Sequence, residues 1–185
     1  MPPPLPLLTA QRGLTLIEQL LVVAIAATLA CVGLPSFWRL VATSEVRVAQ
    51  SALINVLNHA RALAVQTGRA TLACPTRDGE HCSDAPAWEN GWLVGFRGDR
   101  QGDIEGAPKL HRYPPSGSLI IRSTQGRRAI QFQPDGSAGG SNLTLLICHR
   151  AGNDHSLNVK VSNAGRVRGG KNTETEALQC ADRQT

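Results

Sequence analysis

The sequence predicts an α+β protein, with one long N-terminal helix followed by a β-rich head of antiparallel strands. Three observations carry this. Residues 19–38 hold no charged side chain, and such a twenty-residue run is long enough to cross a bilayer as a helix. After it, Val46, Ala49, Leu53, Val56, Leu57, Ala60, Leu63 and Ala64 recur at three- and four-residue steps, the mark of a helix with one buried stripe. Beyond Arg69 this period gives way to short β-like runs between Gly, Pro and Asp turns.

The elements follow in order. Arg47, Gln50, Asn55, Asn58 and Arg61 fill other positions of the amphipathic half, which is expected to end near Gln66 with Gly68 as a left-handed cap. Strands are expected at 70–74, 92–96, 109–113, 118–122, 129–133, 143–148 and 157–161. Between them stand the turn signals Arg97-Gly98-Asp99, Pro114-Pro115-Ser116-Gly117, Pro134-Asp135-Gly136 and Gly139-Gly140. Consecutive strands after one helix imply an antiparallel sheet packed on it. Trp88, Trp92, Phe96 and Phe132 are expected as core anchors rather than a binding cage. The chain thus divides into 1–13, an apolar helical half at 14–38, an amphipathic half at 39–68 and a head at 69–185.

The part beyond the apolar run, about 145 residues, is long enough for one domain with its own core. Net charge is +5, a modest excess that matters only where it is concentrated. Of five cysteines, Cys31 lies in the apolar run and is expected to pack as a small hydrophobe. Cys74, Cys82, Cys148 and Cys180 allow three connectivities. The favoured one is Cys74–Cys82, a short loop holding Pro75 and Gly79, with Cys148–Cys180 tying the tail to the body. No Cys-x-x-Cys occurs, and His59, His81, His111, His149 and His155 are scattered. No metal site and no cofactor is expected.

Glu18 is a lone carboxylate at the start of the apolar run. In mid-bilayer such a charge costs about 2.5–3.5 kcal/mol, so it calls for a partner. The residues before it carry one base, Arg12, no acid, and stop at Gly13. A secretory signal would have its cleavage site after the apolar region; here the apparent processing point precedes it, at Gly13-Leu14. The segment 13–35 resembles the signal of the type IV pilin family. The resemblance implies cleavage after Gly13 by a prepilin peptidase and N-methylation of Leu14. It further implies that Glu18 pairs with a neighbouring subunit's N-terminal ammonium, a burial far cheaper for two opposite charges than for one. Pro35 stands where pilins carry a helix-kinking proline. A plain signal anchor is the alternative.

The resemblance narrows in the head. Cys74-Pro75 with Cys82, Trp88-Glu89-Asn90-Gly91-Trp92-Leu93-Val94, Phe132-Gln133-Pro134-Asp135-Gly136 and Gly165-Arg166-Val167-Arg168 occur in this order. They look like the FimT/GspH group of minor pilins and pseudopilins. This implies a pilin-like fold with two β-sheets beside the helix. The implied location is the bacterial inner membrane, single-pass with the head in the periplasm, and then a pilus fibre among other pilins.

No Gly-x-Ser-x-Gly, phosphate-cradling loop or metal-spaced carboxylate set is present, so an enzyme is not expected. The chemistry lies in the basic stretch 158–172, where Lys160, Arg166, Arg168 and Lys171 occur without an acid. Arg166 and Arg168 alternate about Val167, so an extended strand points both to one face. Guanidinium forks suit phosphate oxygens whatever the base sequence. In FimT-type minor pilins a Gly-Arg-x-Arg motif is associated with DNA binding in natural transformation, and Gly165, Arg166 and Arg168 match it. Lys160 and Lys171 are added on charge and proximity. The alternatives are a solvated basic turn in a subunit that only primes or caps a pilus or secretion pseudopilus, or an anchored binding protein that never polymerises.

Overall fold

The computed structural model describes residues 15–98, 104–111, 117–124 and 127–181. The chain divides into two compact units between Leu40 and Val41. Helix α1, Leu16–Thr67, runs through that boundary. In the first unit its described side chains are exposed. Its most apolar window has a mean hydropathy of 2.3 and is not buried at all. An apolar surface of this kind needs a membrane or neighbouring helices to cover it. The backbone stays helical through Pro35. Cys31, expected as a packing residue, is free and exposed, because nothing in its own unit covers that helix. Gly13 and Leu14 lie outside the described residues.

The second unit builds its core on the second half of α1. Val46, Ala49, Leu53, Val56, Leu57, Ala60 and Ala64 are buried, as the periodicity predicts, while Leu63 at the stripe's edge is half-buried. The helix ends at Thr67, and Gly68 caps it at φ 64°. Thr71 Oγ1 then donates to the Ala60 carbonyl at 2.9 Å, folding the chain back on the helix.

Two antiparallel four-stranded sheets share this core. The first has order β3-β2-β1-β5, from β1 (Thr71–Pro75), β2 (Trp92–Arg97), β3 (Ile104–His111) and β5 (Ile130–Phe132). The second has order β4-β6-β7-β8, from β4 (Leu119–Ser123), β6 (Leu143–His149), β7 (Gly152–Val161) and β8 (Val167–Lys171). Inward residues of the first include Ala73, Val94, Ile130 and Phe132; those of the second include Ile121, Leu145, Ile147 and Val159. Trp88 and Trp92 are buried in the same cluster as apolar bulk; neither indole N–H has a hydrogen-bond partner among the described residues. Phe96 is a partial exception to the expected anchors: it is half-exposed, and the Arg69 guanidinium lies 4.3 Å over its ring.

The strand expectations hold within a residue or two except at β3 and β7, and two further elements, β8 and α2, lie outside them. β7 begins at Gly152, five residues before its expected start. β3 begins five residues early and runs through Pro108. It is an edge strand, where a missing N–H costs no ladder bond. β8 was not expected, since its sequence, Val167-Arg168-Gly169-Gly170-Lys171, has poor strand propensity. Helix α2, Glu174–Ala181, was not expected either. It lies against β6 and β7, on the sheet face that carries the small cluster Ile120, Leu146 and Cys148.

Cys74 and Cys82 form a disulfide with α-carbons 5.5 Å apart. The loop between them is organised by Asp78, whose carboxylate accepts the backbone N–H groups of His81 and Glu80. Those bonds hold its pKa well below the usual carboxylate range. Cys148 is also disulfide-bonded; the side chain of Cys180 lies outside the described residues.

Candidate nucleic-acid interface

The basic segment forms the β7–β8 hairpin and its turn. The Gly165 N–H donates to the Ser162 carbonyl at 2.8 Å, and the Ser162 N–H to the Arg166 carbonyl at 3.1 Å. The Arg166 N–H adds a bond to Ser162 Oγ at 3.2 Å. Gly165 adopts φ 71°, the left-handed region that favours glycine. Across the turn, the Ala138 N–H donates to the Asn163 carbonyl at 2.8 Å, joining the hairpin to the loop after β5. From α1, Gln50 Nε2 donates to the carbonyls of Asn158 and Gly170 at 2.8 and 3.0 Å. Helix and loop thus set where the hairpin stands.

Register decides which side chains meet. Val161 pairs with Val167 and Lys160 with Arg168, while Thr144 on β6 pairs with Lys160. Val167 packs against the core, so Arg166 and Arg168, on either side of it, take the outer face. Lys160, Arg166 and Arg168 line one groove of about 530 Å³, together with Thr124, Asn142, Thr144 and Ser162. Among the described residues no carboxylate lines it. The groove is therefore rich in cations and hydroxyls, a donor set suited to phosphate oxygens.

One cation is partly neutralised at the groove's border. Lys160 Nζ lies 3.0 Å from Glu176 Oε1 on α2. Glu176 Oε2 accepts the Thr173 N–H at 2.8 Å and Asn158 Nδ2 at 3.1 Å. Thr173 Oγ1 in turn accepts the Glu176 N–H at 3.3 Å, completing a reciprocal capping box. Burial alone would raise the Glu176 pKa, but the Thr173 and Lys160 bonds outweigh it and hold it below the ordinary value. The signal that could have revealed α2 was present in the sequence as Thr173-Glu174-Thr175-Glu176.

The other candidate residues fall elsewhere. Lys171 pairs with Leu157 and has the opposite parity to Arg168, so it does not line the groove; three residues along a strand reverse the face. Gly165 is buried and serves the turn. Arg127 and Arg128 line a different cleft, over the first sheet. Glu18 is exposed in the first unit. No group of three or more His, Cys, Asp or Glu able to hold a metal occurs among the described residues.

A long N-terminal helix whose second half packs on two antiparallel sheets is the fold of a type IV pilin subunit. The model of a family described as type II transport protein GspH matches residues 49–165, and the chain belongs to that family of minor pilins and pseudopilins. Its fold is similar to that of the type IV minor pilin FimU of Pseudomonas aeruginosa. In one crystal form the TM-score is 0.57 at 24% identity, covering 68% of this chain and 87% of that one. In a second form the TM-score is 0.54 at 23% identity, covering 66% and 90%. No curated protein matches the chain.

Proposed function

We propose that this protein is a minor subunit of a type IV pilus whose head binds DNA through the phosphate backbone, without sequence preference, for uptake in natural transformation. The observation that carries this is the pairing of Lys160 with Arg168, beside Arg166, in one groove whose described lining holds no carboxylate. Two or three phosphate contacts give weak, steeply salt-dependent binding, and several copies on a fibre add avidity. The N-terminal reading belongs to the same proposal: prepilin peptidase cleaves at Gly13-Leu14, Leu14 is methylated, and Glu18 docks one subunit on the next after the chain leaves the inner membrane.

The test is titration of the detergent-solubilised full chain with a short DNA duplex at two salt concentrations. Arg166→Ala/Arg168→Ala is expected to weaken binding at least ~10-fold and to flatten the log K against log salt slope by about two, one per lost phosphate contact. Equal affinity in parent and variant would move the site elsewhere.

A second reading follows from the family description, which concerns type II transport. The chain then primes or caps a pilus or a secretion pseudopilus, and the groove receives an acidic surface of another subunit. In that case duplex DNA does not bind at physiological salt.

A further inference from the structure

We propose that a second cleft, on the outer face of the first sheet, is a binding site for phosphate oxyanions. It encloses about 530 Å³, and Arg97, Arg127 and Arg128 line it with Ser83, Asp84 and Gln131. Its place follows from register. Leu72 pairs with Gly95 on one side and Gln131 on the other, in the row that alternates with the core-facing pair Ala73 and Val94. Leu72 and the Cys74–Cys82 disulfide make an apolar floor. Arg97 reaches it from the end of β2, and Arg127 and Arg128 from the segment that enters β5.

The charge balance favours an anion. Among the described residues, three guanidiniums meet one carboxylate, Asp84, whose side chain is wholly exposed and pairs with Arg128 at 2.9 Å. So exposed a pair holds Arg128 only weakly. Arg127 gives an N–H to the Gly140 carbonyl, leaving the other donors of its fork, since a guanidinium carries five. Arg97 makes no ion pair among the described residues. A carboxylate is well satisfied by one fork, whereas a phosphate offers oxygens to two forks and still accepts from the Ser83 hydroxyl and the Gln131 amide. The apolar floor keeps water from one side of the anion and so strengthens these bonds. The disulfide and the Asp78-centred loop hold the Ser83 wall beside β1 before any ligand arrives.

None of these residues belongs to the groove of Arg166 and Arg168, so the two sites stand or fall separately. The experiment is calorimetric titration of the detergent-solubilised full chain with inorganic pyrophosphate and, in a second arm, with a short DNA duplex. Arg97→Gln/Arg127→Gln is expected to weaken pyrophosphate binding by ~10-fold or more, as for the loss of two charge-assisted forks. Arg97→Gln alone, at an exposed position, is expected to weaken it measurably with the fold intact. Arg166→Gln/Arg168→Gln is expected to leave it unchanged. In the duplex arm, a loss of affinity in Arg97→Gln/Arg127→Gln identifies the phosphate as that of a nucleic-acid backbone; unchanged duplex affinity identifies a free phosphate compound. Failure of the parent to bind millimolar pyrophosphate, or equal binding by parent and Arg97→Gln/Arg127→Gln, overturns the proposal.

Discussion

Gly165 lies with its α-carbon against the carbonyl oxygen of Gly136, and Arg61 on α1 donates its Nε–H to that same oxygen at 2.9 Å. A β-carbon at position 165 would overlap the oxygen. The contact joins helix, loop and hairpin at one point, immediately before the two arginines of the groove. The basic motif therefore divides by task. Its glycine is demanded by the fold, and its arginines are left to face solvent.

Gly165→Ala is expected to destabilise the head. The left-handed backbone alone costs a non-glycine residue about 1–3 kcal/mol, and the collision with Gly136 adds to it. The thermal midpoint should fall by several degrees, at about 2–4 °C per kcal/mol for a chain of this size. A midpoint equal to the parent's would show that the turn relaxes freely.

Glu176→Gln is expected to tighten DNA binding if the groove is the DNA site. The amide still accepts the Thr173 N–H, so the capping box survives, but Lys160 loses its counter-charge. The salt slope should steepen by about one contact, or 0.9 in log–log units. An unaltered slope would mean that Lys160 does not reach phosphate.

The same residue predicts a pH dependence of stability. Its folded pKa lies below its ordinary value, so the stabilisation is present above the unfolded glutamate pKa, about 4.3. It is lost as pH falls through the folded value. The parent's thermal midpoint should therefore drop more steeply than that of Glu176→Gln across this acidic window. Parallel curves would leave the Glu176 interactions without weight.

Removing the Cys74–Cys82 bridge by Cys74→Ser/Cys82→Ser is expected to cost about 2.5 kcal/mol on the chain-entropy account of a loop this short. Denaturant midpoints of parent and variant measure it. The double substitution leaves the disulfide at Cys148 in place, so the change reports one bridge.

Glu18→Ala addresses assembly. If Glu18 docks subunits, the variant should be depleted from sheared fibres while its level in the membrane stays near the parent's. Equal incorporation into fibres would remove the pairing argument.

How far the sequence speaks differs between elements. The stripe from Val46 to Ala64 was legible because helical periodicity is local and its amplitude is large. β6 and β4 were legible for the same reason, as β-branched and leucine runs between turns. β8 was hidden by Gly169 and Gly170. Gly170 sits where a β-carbon would lie 2.9 Å from Asn158 Oδ1, and Gly169 where one would lie 2.8 and 2.9 Å from the side-chain ends of Ile54 and Gln50 on α1, so that either neighbour would have to shift. The constraint on Gly169 is written on a helix more than a hundred residues away. Arg127 and Arg128 posed a related problem: they directly precede β5, and only the pairing of β5 with β1 places them over the first sheet.

By itself, then, the sequence determined the long helix with its apolar and amphipathic halves, the order of most strands, and the shared face of Arg166 and Arg168. Each of these depends on spacing within a few residues. Only the tertiary structure decided that Lys160 joins those arginines, that Lys171 faces away, that Glu176 borders the groove, and that three further arginines gather on the opposite sheet. These are matters of register and packing between distant segments, and in a β-sheet one step of register reverses every side chain.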